Sequence, residues 1–369
     1  MISARDEDRD AAVDETLRAA DVGLPAGAAL PFEFTPGRHW SPLVISFPHI
    51  GLEWPAHEPQ RPAVNFARNA DFAVDRLYPD AAALGAATLR ARYSRLLIDL
   101  NRAPDDVTAA LVPDHPAPRP QQPPWATGGP APVHNRGLIW QTAVGNVQIL
   151  RTPLAFADLL ARLSRYYDPY HAALVELLAR RRARFGFAVL LDAHSMPGSI
   201  PGDLVLGTFE GGACSPELER RALAALRGDP PAGPLRVSLN DPYRGGELVR
   251  KFGRPEHGVH ALQLEVNRGL YMDEANLVLR PEVRARPAVS HPSPEIPDTA
   301  TAASATNGRE AAPQFLLHRV KSLVSALAAT SVPAAQPFPG PSQPSNPQSS
   351  HPRGTAHYGE PLCRRRPRG

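Results

Sequence analysis

The order of hydrophobic and polar positions predicts which parts of the chain form strands and which form helices. Apolar runs of strand length occur at 43–47, 93–101, 144–150, 187–191, 235–239 and 260–266. Apolar residues at helical spacing occur at 71–92, 154–184 and 216–227. Within 154–184 we expect a break at Asp168-Pro169, because proline disrupts a helix interior. Since strands and helices alternate, the chain is predicted to be an α/β protein.

The same pattern predicts how the chain is divided. We expect residues 1–30 to form a flexible N-terminal arm. Residues 31–274 are expected to form one main domain, with a Pro-rich loop at 104–132 that is either a lid or a disordered insertion. Residues 275–313 are predicted to be a disordered linker. An amphipathic helix at 314–329 would dock on the core, and 330–369 would form a disordered, low-complexity tail.

The composition fits a folded core with long irregular segments. Hydrophobic residues make up 43% of the 369 positions, enough for a sizeable core. Proline accounts for 43 residues, roughly twice its usual share. These prolines crowd the 104–132 loop and the region after 281, so they describe loops and the tail.

Charge and cysteine content argue against several classes of protein. The net charge is only +3, which argues against a dedicated nucleic-acid binder, although the chain ends in the basic sequence RRRPRG. Two cysteines offer neither a disulfide framework nor a cysteine-type zinc site, which fits a reducing compartment. No apolar run approaches the roughly 20 residues of a membrane span, and the N-terminus lacks a secretory apolar core. We therefore expect a cytoplasmic protein without membrane or nucleic-acid partners.

Two predicted strands end in histidine in the same way. In 43–55, LVISFPHIGLEWP, an apolar run breaks at Pro48 and is followed by His49. In 187–198, FAVLLDAHSMPG, a second apolar run ends in Asp192 and His194 before a Pro-Gly break. This parallel placement suggests a metal ion held between neighbouring strands.

Further polar groups occur at other strand ends. Asn101 and Arg102 end the 93–101 run, and Glu265 lies near the end of the 260–266 run. The carboxyl ends of strands in an open α/β sheet face one crevice, so these groups are expected to converge with the two histidines.

The converging residue types suit a hydrolytic zinc centre. Catalytic zinc commonly takes two histidines and one carboxylate and keeps one position open. His49 and His194 supply the imidazoles, and Glu53 and Asp71 compete as the carboxylate; another divalent metal is also possible. Glu265 would then serve as the separate acid/base. Arg102, with Asn101 beside it, would hold a substrate carboxylate, which suggests amide or peptide hydrolysis next to a carboxylate.

Each of these residues also has a structural interpretation. A single histidine after a strand is more often a loop or capping residue, and an Asn-Arg pair is most often a surface cluster. Glu265 could simply pair with Arg268. Asp192 is expected to orient a loop or a ligand histidine rather than to bind metal. His171, within a predicted helix, fits either the core or the site.

Seven segments, in order, resemble the N-formylglutamate amidohydrolase family. They are SFPHIGLEWP, DFAVDRLY, SRLLIDLNR, YYDPYHAAL, DAHSMPG, GDLVLGT and ALQLEVNRGLYMDE, and they cover roughly residues 31–274. The resemblance implies a single catalytic domain similar to zinc carboxypeptidases and aspartoacylase-like deacylases. Such a domain has a mixed β-sheet with helices on both faces.

The resemblance also implies roles for individual residues. It assigns zinc binding to His49 and His194, binding of the substrate α-carboxylate to Asn101 and Arg102, and acid/base catalysis to Glu265. The acid ligand of the relatives stands three residues after the first histidine, where this chain has a leucine. Asp71, in the DFAVDRLY segment, is slightly preferred to Glu53. The loop at 104–132 and the region 281–369 are longer than in a usual member.

The implied activity is hydrolysis of a small N-acyl amino acid, with N-formyl-L-glutamate as the favoured substrate and a role in histidine catabolism. A second substrate carboxylate would need another cation, for which Arg95, Arg136 and Arg151 are unranked candidates. One alternative is a deacylase or carboxypeptidase-like hydrolase of another N-acyl amino acid. Another is a non-catalytic binding protein on the same fold, and a weaker one is nucleic-acid binding through the tail. The oligomeric state is not predicted.

Overall fold

A computed structural model describes residues 13–120, 136–228, 235–284 and 312–331, which contain a seven-stranded mixed β-sheet. The strands are β1 Phe32–Thr35, β2 Leu43–Phe47, β3 Ala87–Ala91, β4 Ala188–Met196, β5 Leu204–Gly207, β6 Val237–Leu239 and β7 Val259–Asn267. Their order is β1-β3-β2-β4-β7-β5-β6. The pairs β1–β3 and β5–β7 are antiparallel, and the other four are parallel. Two short strands, β8 Met272–Asp273 and β9 Val278–Leu279, form a separate hairpin.

Six α-helices accompany the sheet in the described residues. They are α1 Phe156–Arg162, α2 Asp168–Phe185, α3 Pro216–Arg227, α4 Glu247–Phe252, α5 Pro281–Arg284 and α6 Ala312–Ala328. Local sequence sets their ends: Ser215 accepts a hydrogen bond from the Leu218 amide at the start of α3, and Gly186 ends α2 in the left-handed conformation. In the part of the chain that is described, no helix is both long and apolar enough to cross a membrane.

The central strands are buried on both faces, which explains why they read as continuous apolar runs. In β2, Leu43 and Ile45 belong to the core cluster that includes residues of α3 and α6. Val44 lies on the opposite face, in the cluster that includes α2 and α4. In β4, Leu191 and Leu190 alternate in the same way. The predicted α/β class, a mixed sheet with helices on both faces, is confirmed.

Several predicted elements agree with the structure, with shifted ends. The strands at 43–47 and 260–266 and the helix at 216–227 are confirmed. The strand predicted at 187–191 continues to Met196, so Asp192 and His194 lie within it. The strand predicted at 235–239 is limited to Val237–Leu239.

The predictions for 71–92 and 93–101 are wrong. Instead of a helix, the first segment contains a 3₁₀ turn at Val74–Leu77 and then strand β3. Ala73 and Gly85 take the left-handed conformation there, which an α-helix does not allow. The 93–101 segment forms turns whose apolar side chains are buried in the core. Its apolar pattern therefore indicated burial correctly but not strand conformation.

Two smaller predictions also fail. The strand expected at 144–150 is reduced to an isolated bridge between Thr142 and Gln148. The break expected at Asp168-Pro169 is absent, because a π-helical turn at Leu163–Tyr167 joins α1 to α2. A π turn just before Pro169 accommodates a residue that has no amide hydrogen to donate.

Part of the expected N-terminal arm is attached to the core. Leu17 and Val22 are buried, and the Glu15 carboxylate accepts hydrogen bonds from both terminal nitrogens of Arg181, at 2.8 and 2.9 Å. Helix α6 packs its apolar face on α3. Residues 1–12, 121–135, 229–234, 285–311 and 332–369 lie outside the described part of the chain. They contain most of the expected loop tip, linker and tail, so those domain boundaries stay predictions.

Candidate active site

The polar residues of the central strands lie on one face of the sheet, near its carboxyl end. In β4, Asp192 and His194 alternate with apolar residues that face the other way. The register of β4 and β7 places Asp192 opposite Gln263 and His194 opposite Glu265. His49 follows β2, the other neighbour of β4. This face of the sheet packs against α2 near the start of β4 and becomes polar toward the carboxyl ends of the strands.

Three of the predicted residues meet at this position. His194 Nδ1 lies 2.8 Å and His49 Nδ1 3.4 Å from Asp71 Oδ2, and the two rings are 4.8 Å apart between centroids. One ligand atom of each residue lies within 4.8 Å of the others, and all three side chains are buried. His49 Nδ1 is buried and has no hydrogen-bond partner within the described part of the chain. Two imidazoles, one carboxylate and an unpartnered nitrogen fit the donor set of a catalytic divalent metal.

The chain between β2 and β3 brings Asp71 to the two histidines. The Asp71 amide donates to the carbonyl of His49, at 2.9 Å. Gly51 allows this return, because a side chain at that position would collide with the backbone of Tyr93. Glu53, the alternative acid, is exposed and forms an ion pair with Arg92 at 3.1 Å. Of the two carboxylates, the structure brings only Asp71 to the histidines.

Two further carboxylates fix the orientation of the imidazole rings. His49 Nε2 lies 2.7 Å from Asp99 Oδ1, and His194 Nε2 lies 2.7 Å from Asp192 Oδ2. In each ring this leaves Nδ1 directed toward Asp71, an arrangement typical of metal-binding histidines. The interpretation of Asp192 as an orienting residue agrees with this geometry.

Electrostatics keep the cluster charged despite its burial. Burial alone would raise the pKa of Asp71, but its hydrogen bond with His194 and the nearby His49 ring hold it well below its usual value. Burial alone would lower the pKa of His194, but Asp192 and Asp71 raise it well above its usual value. A bound cation would take over the role of the proton that these groups share.

Sequence reasoning did not identify Asp99 as the partner of His49. Its carboxylate also accepts hydrogen bonds from Arg95 at 2.7 Å, Trp140 Nε1 at 3.0 Å and the Asn101 amide at 2.9 Å. Burial would raise its pKa, but the charges of Arg95 and His49 hold that pKa well below the usual value. Asp99 thus links the histidine cluster to Arg95, one of the arginines beside it.

Glu265 is a buried carboxyl group directly beside the cluster. Burial raises its pKa to about 7, and the His194 charge opposes this increase. Its Oε1 accepts a hydrogen bond from Gln263 at 2.9 Å. The simple Glu265–Arg268 pair considered from the sequence does not form, since Arg268 bonds instead to Ser195 and Glu274. A carboxyl group with a pKa near 7 has the property required of a general acid/base.

Asn101 and Arg102 have different surroundings. Asn101 Nδ2 donates to Asp192 at 2.8 Å, and Asn101 Oδ1 accepts from the Leu248 amide at 2.7 Å. The Arg102 guanidinium lines the cavity, and among the described residues no hydrogen bond or ion pair satisfies it. Both residues line the cavity, but only Asn101 has hydrogen-bond partners among the described residues.

His171 holds the turn that carries Asn101 and Arg102. His171 is buried, and its Nε2 donates to the carbonyl of Leu100 at 3.0 Å, while Lys251 approaches its Nδ1 at 3.0 Å. Burial lowers its pKa to about 3, so the ring is neutral. His171 therefore belongs to the core and supports the site indirectly.

A cavity of about 210 Å³ opens over these groups. His49, Asp71, His194 and Glu265 line it together with a set of arginines, namely Arg68, Arg95, Arg102, Arg136, Arg244 and Arg268. So many guanidinium groups around a small cavity favour an anionic ligand. Of the three cations suggested for a second carboxylate, Arg95 and Arg136 line the cavity, whereas Arg151 is exposed and is not among the lining residues.

Comparison with known proteins places this geometry in context. The sequence model of the N-formylglutamate amidohydrolase family matches residues 41–272. N-formylglutamate deformylase of Pseudomonas aeruginosa is 35% identical over 250 residues, covering 63% of this chain and 83% of the relative. The Pseudomonas putida enzyme of that name is 32% identical over 258 residues, covering 67% and 87%. The crystal structure of N-formylglutamate amidohydrolase from Ralstonia eutropha JMP134 superimposes with a TM-score of 0.63 at 28% identity, covering 81% of this chain and 98% of that one.

Proposed function

Because the chain belongs to the N-formylglutamate amidohydrolase family, a family of enzymes that hydrolyse an amide bond, we propose that it converts N-formyl-L-glutamate and water to L-glutamate and formate with one bound divalent metal ion. Zinc is the favoured metal. The observation that carries the metal dependence is the buried cluster in which His49 Nδ1 lacks any hydrogen-bond partner beside Asp71.

In this proposal His49, Asp71 and His194 hold the metal through Nδ1, Oδ2 and Nδ1. When bound, the metal supplies a Lewis acid that polarises a carbonyl and makes water more acidic. Asp99 and Asp192 keep the two rings in the tautomer that presents Nδ1.

Glu265 moves the proton of the reaction. Water adds to the formyl carbon, and Glu265 accepts a proton from it. The carbon–nitrogen bond then breaks, and Glu265 delivers that proton to the leaving amine nitrogen. Its pKa of about 7 allows both transfers near neutral pH.

Arg102 holds the substrate α-carboxylate, because its guanidinium reaches the cavity and has no hydrogen-bond or ion-pair partner in the described part of the chain. Asn101 also has a positioning role: its Nδ2 donates to Asp192 and its Oδ1 accepts from the Leu248 amide, so it orients Asp192 and through it His194. Its contact with the substrate carboxylate stays a prediction.

The metal requirement is tested by measuring bound zinc and turnover in purified His194→Ala. Removing one of three ligands should abolish stoichiometric zinc and reduce activity to background. Glu53→Gln is the matched control, because it removes the competing carboxylate, and it should keep both. A His194→Ala protein that retains one zinc per chain would refute the proposed ligand set.

The acyl group is tested with N-formyl-, N-acetyl- and N-succinyl-L-glutamate. Preference for the formyl compound supports the proposal, whereas preference for a larger acyl group favours the alternative deacylase. A folded wild-type chain with neither zinc nor hydrolysis would favour the non-catalytic binding protein. Cytoplasmic location, the absence of nucleic-acid binding and the role in histidine catabolism stay predictions from the sequence.

A further inference from the structure

Two of the cavity arginines have no partner within the described residues. Arg102 and Arg136 are half-buried and line the cavity, and no ion pair or hydrogen bond to either guanidinium occurs there. The other lining arginines are engaged: Arg95 pairs with Asp99, Arg268 with Glu274, Arg244 with Glu210, and Arg68 donates to the carbonyl of Ala275. As far as the described residues show, two guanidinium groups at the cavity therefore remain available to a ligand.

Pairing and position distinguish the three arginines that were considered for binding a second substrate carboxylate. Arg95 already forms two hydrogen bonds to Asp99, at 2.7 and 3.0 Å. Arg151 is exposed and does not line the cavity; only its backbone amide is fixed, by Gln60. Of the three, Arg136 alone both lines the cavity and has no guanidinium partner among residues 13–120, 136–228, 235–284 and 312–331.

Arg136 is nevertheless held in place. Its guanidinium lies over the ring of Trp140, 4.9 Å from the centroid, and Arg95 lies 4.5 Å from the same ring. Trp140 is buried and donates to Asp99, so its ring is a fixed support. Stacking orients Arg136 and leaves its hydrogen-bond donors free for a ligand.

The charge around Arg136 also favours a dianion. Burial lowers its pKa, and the charges of Arg95 and Arg102 lower it further. The charges of Asp99 and Asp106 act on Arg102, but Asp99 already pairs with Arg95 and bonds to His49. Among the described residues neither Arg102 nor Arg136 has an acid in direct contact, so the cavity favours an anionic ligand.

We infer that Arg136 is the specificity-determining residue of this site: it binds the side-chain carboxylate of a dicarboxylic N-acyl amino acid while Arg102 binds the α-carboxylate. This inference rests on the proposed function and deepens it, since it names the residue that recognises the second carboxylate of the substrate.

The test compares two substrates of nearly the same shape, N-formyl-L-glutamate and the neutral N-formyl-L-glutamine. Wild-type protein should strongly prefer the glutamate compound. Arg136→Gln should lower kcat/KM for it by about 10- to 100-fold, mainly through KM, because a charge-assisted hydrogen bond is lost. Activity on the glutamine compound should change by less than about threefold. Arg136→Lys should be intermediate, since it keeps the charge but not the fork.

Two controls separate this role from general damage. Arg151→Gln, outside the cavity, should leave activity on both substrates unchanged. Arg102→Gln should weaken both substrates alike, because both carry the α-carboxylate. Equal losses on both substrates in Arg136→Gln would overturn the inference, and so would loss of the preference in Arg102→Gln instead of Arg136→Gln.

The inference is distinguishable from the proposed function. If wild-type protein hydrolyses neither formyl compound, the proposed function fails. Calorimetric binding of L-glutamate and L-glutamine then tests Arg136 directly. Arg136→Gln should weaken L-glutamate binding about tenfold or more and leave L-glutamine binding unchanged; equal effects, or no L-glutamate binding to wild-type protein, overturn the inference.

Discussion

Two groups of buried charges in this protein differ in how completely they are neutralised. Away from the cavity, Arg181 and Glu15 form a doubly hydrogen-bonded pair, and both side chains are almost fully buried. Arg162 is paired with Glu58 at 3.0 Å. Each of these cations has its own acid, and each pair joins segments that are distant in sequence.

At the cavity the charges are not matched one to one. Asp99 serves Arg95, His49 and Trp140 at once, whereas Arg102 and Arg136 have no acid of their own among the described residues. Burying a charge without a partner costs several kcal/mol, so an imbalance of this kind is expected only where a ligand completes it. The matched pairs thus belong to the fold, and the unmatched groups belong to the site.

The largest expected effect comes from Glu265→Gln. Because Gln cannot accept and return a proton, kcat for N-formyl-L-glutamate should fall about 10³-fold, while bound zinc is retained. Steady-state kinetics and metal analysis on the same preparation measure both quantities. Full activity in this variant would show that another group moves the proton, and loss of zinc would show that Glu265 belongs to the metal cluster.

A smaller effect, on stability alone, is expected from Glu15→Ala. It leaves Arg181 buried without its acid, so the free energy of unfolding should fall by about 3–5 kcal/mol. Urea unfolding measures this loss, and kcat per folded molecule should stay unchanged. In the double variant Glu15→Leu, Arg181→Met the loss should be smaller, because no unpaired charge remains. A drop in kcat without a drop in stability would show that the Glu15–Arg181 pair does not act on the fold alone.

The smallest effect is expected from Glu53→Gln. Its ion pair with Arg92 is exposed, so the change in unfolding free energy should stay within about 1 kcal/mol. Zinc content and kcat should match those of the wild type. Loss of zinc in this variant would restore Glu53 as the metal ligand in place of Asp71.

How far the sequence predicted the site depends on where each residue lies. His49, His194 and Glu265 were found because they occur at the ends of continuous apolar runs, which mark buried strands reliably. The choice between Asp71 and Glu53 stayed open, because Asp71 follows irregular turns whose path back to the histidines no periodic pattern encodes. The difference in their surroundings became clear only from burial, since Asp71 is enclosed and Glu53 is exposed.

Contacts across the chain were the part that sequence reasoning missed. The 93–101 segment was interpreted as a strand, and that interpretation gave no indication that Asp99 contacts His49. In the structure it lies in a turn, 50 positions from its partner His49. The roles of Trp140 and Arg136 likewise depend on packing between distant segments.

Anomalous diffraction at the zinc absorption edge, from crystals of the full chain grown with zinc, tests the proposed metal ligands directly. One strong peak bonded to His49, Asp71 and His194 is expected, and no peak there in His194→Ala. A zinc ion bonded instead to Glu53, or no zinc between the two histidines of the wild-type protein, would contradict the proposed ligand set.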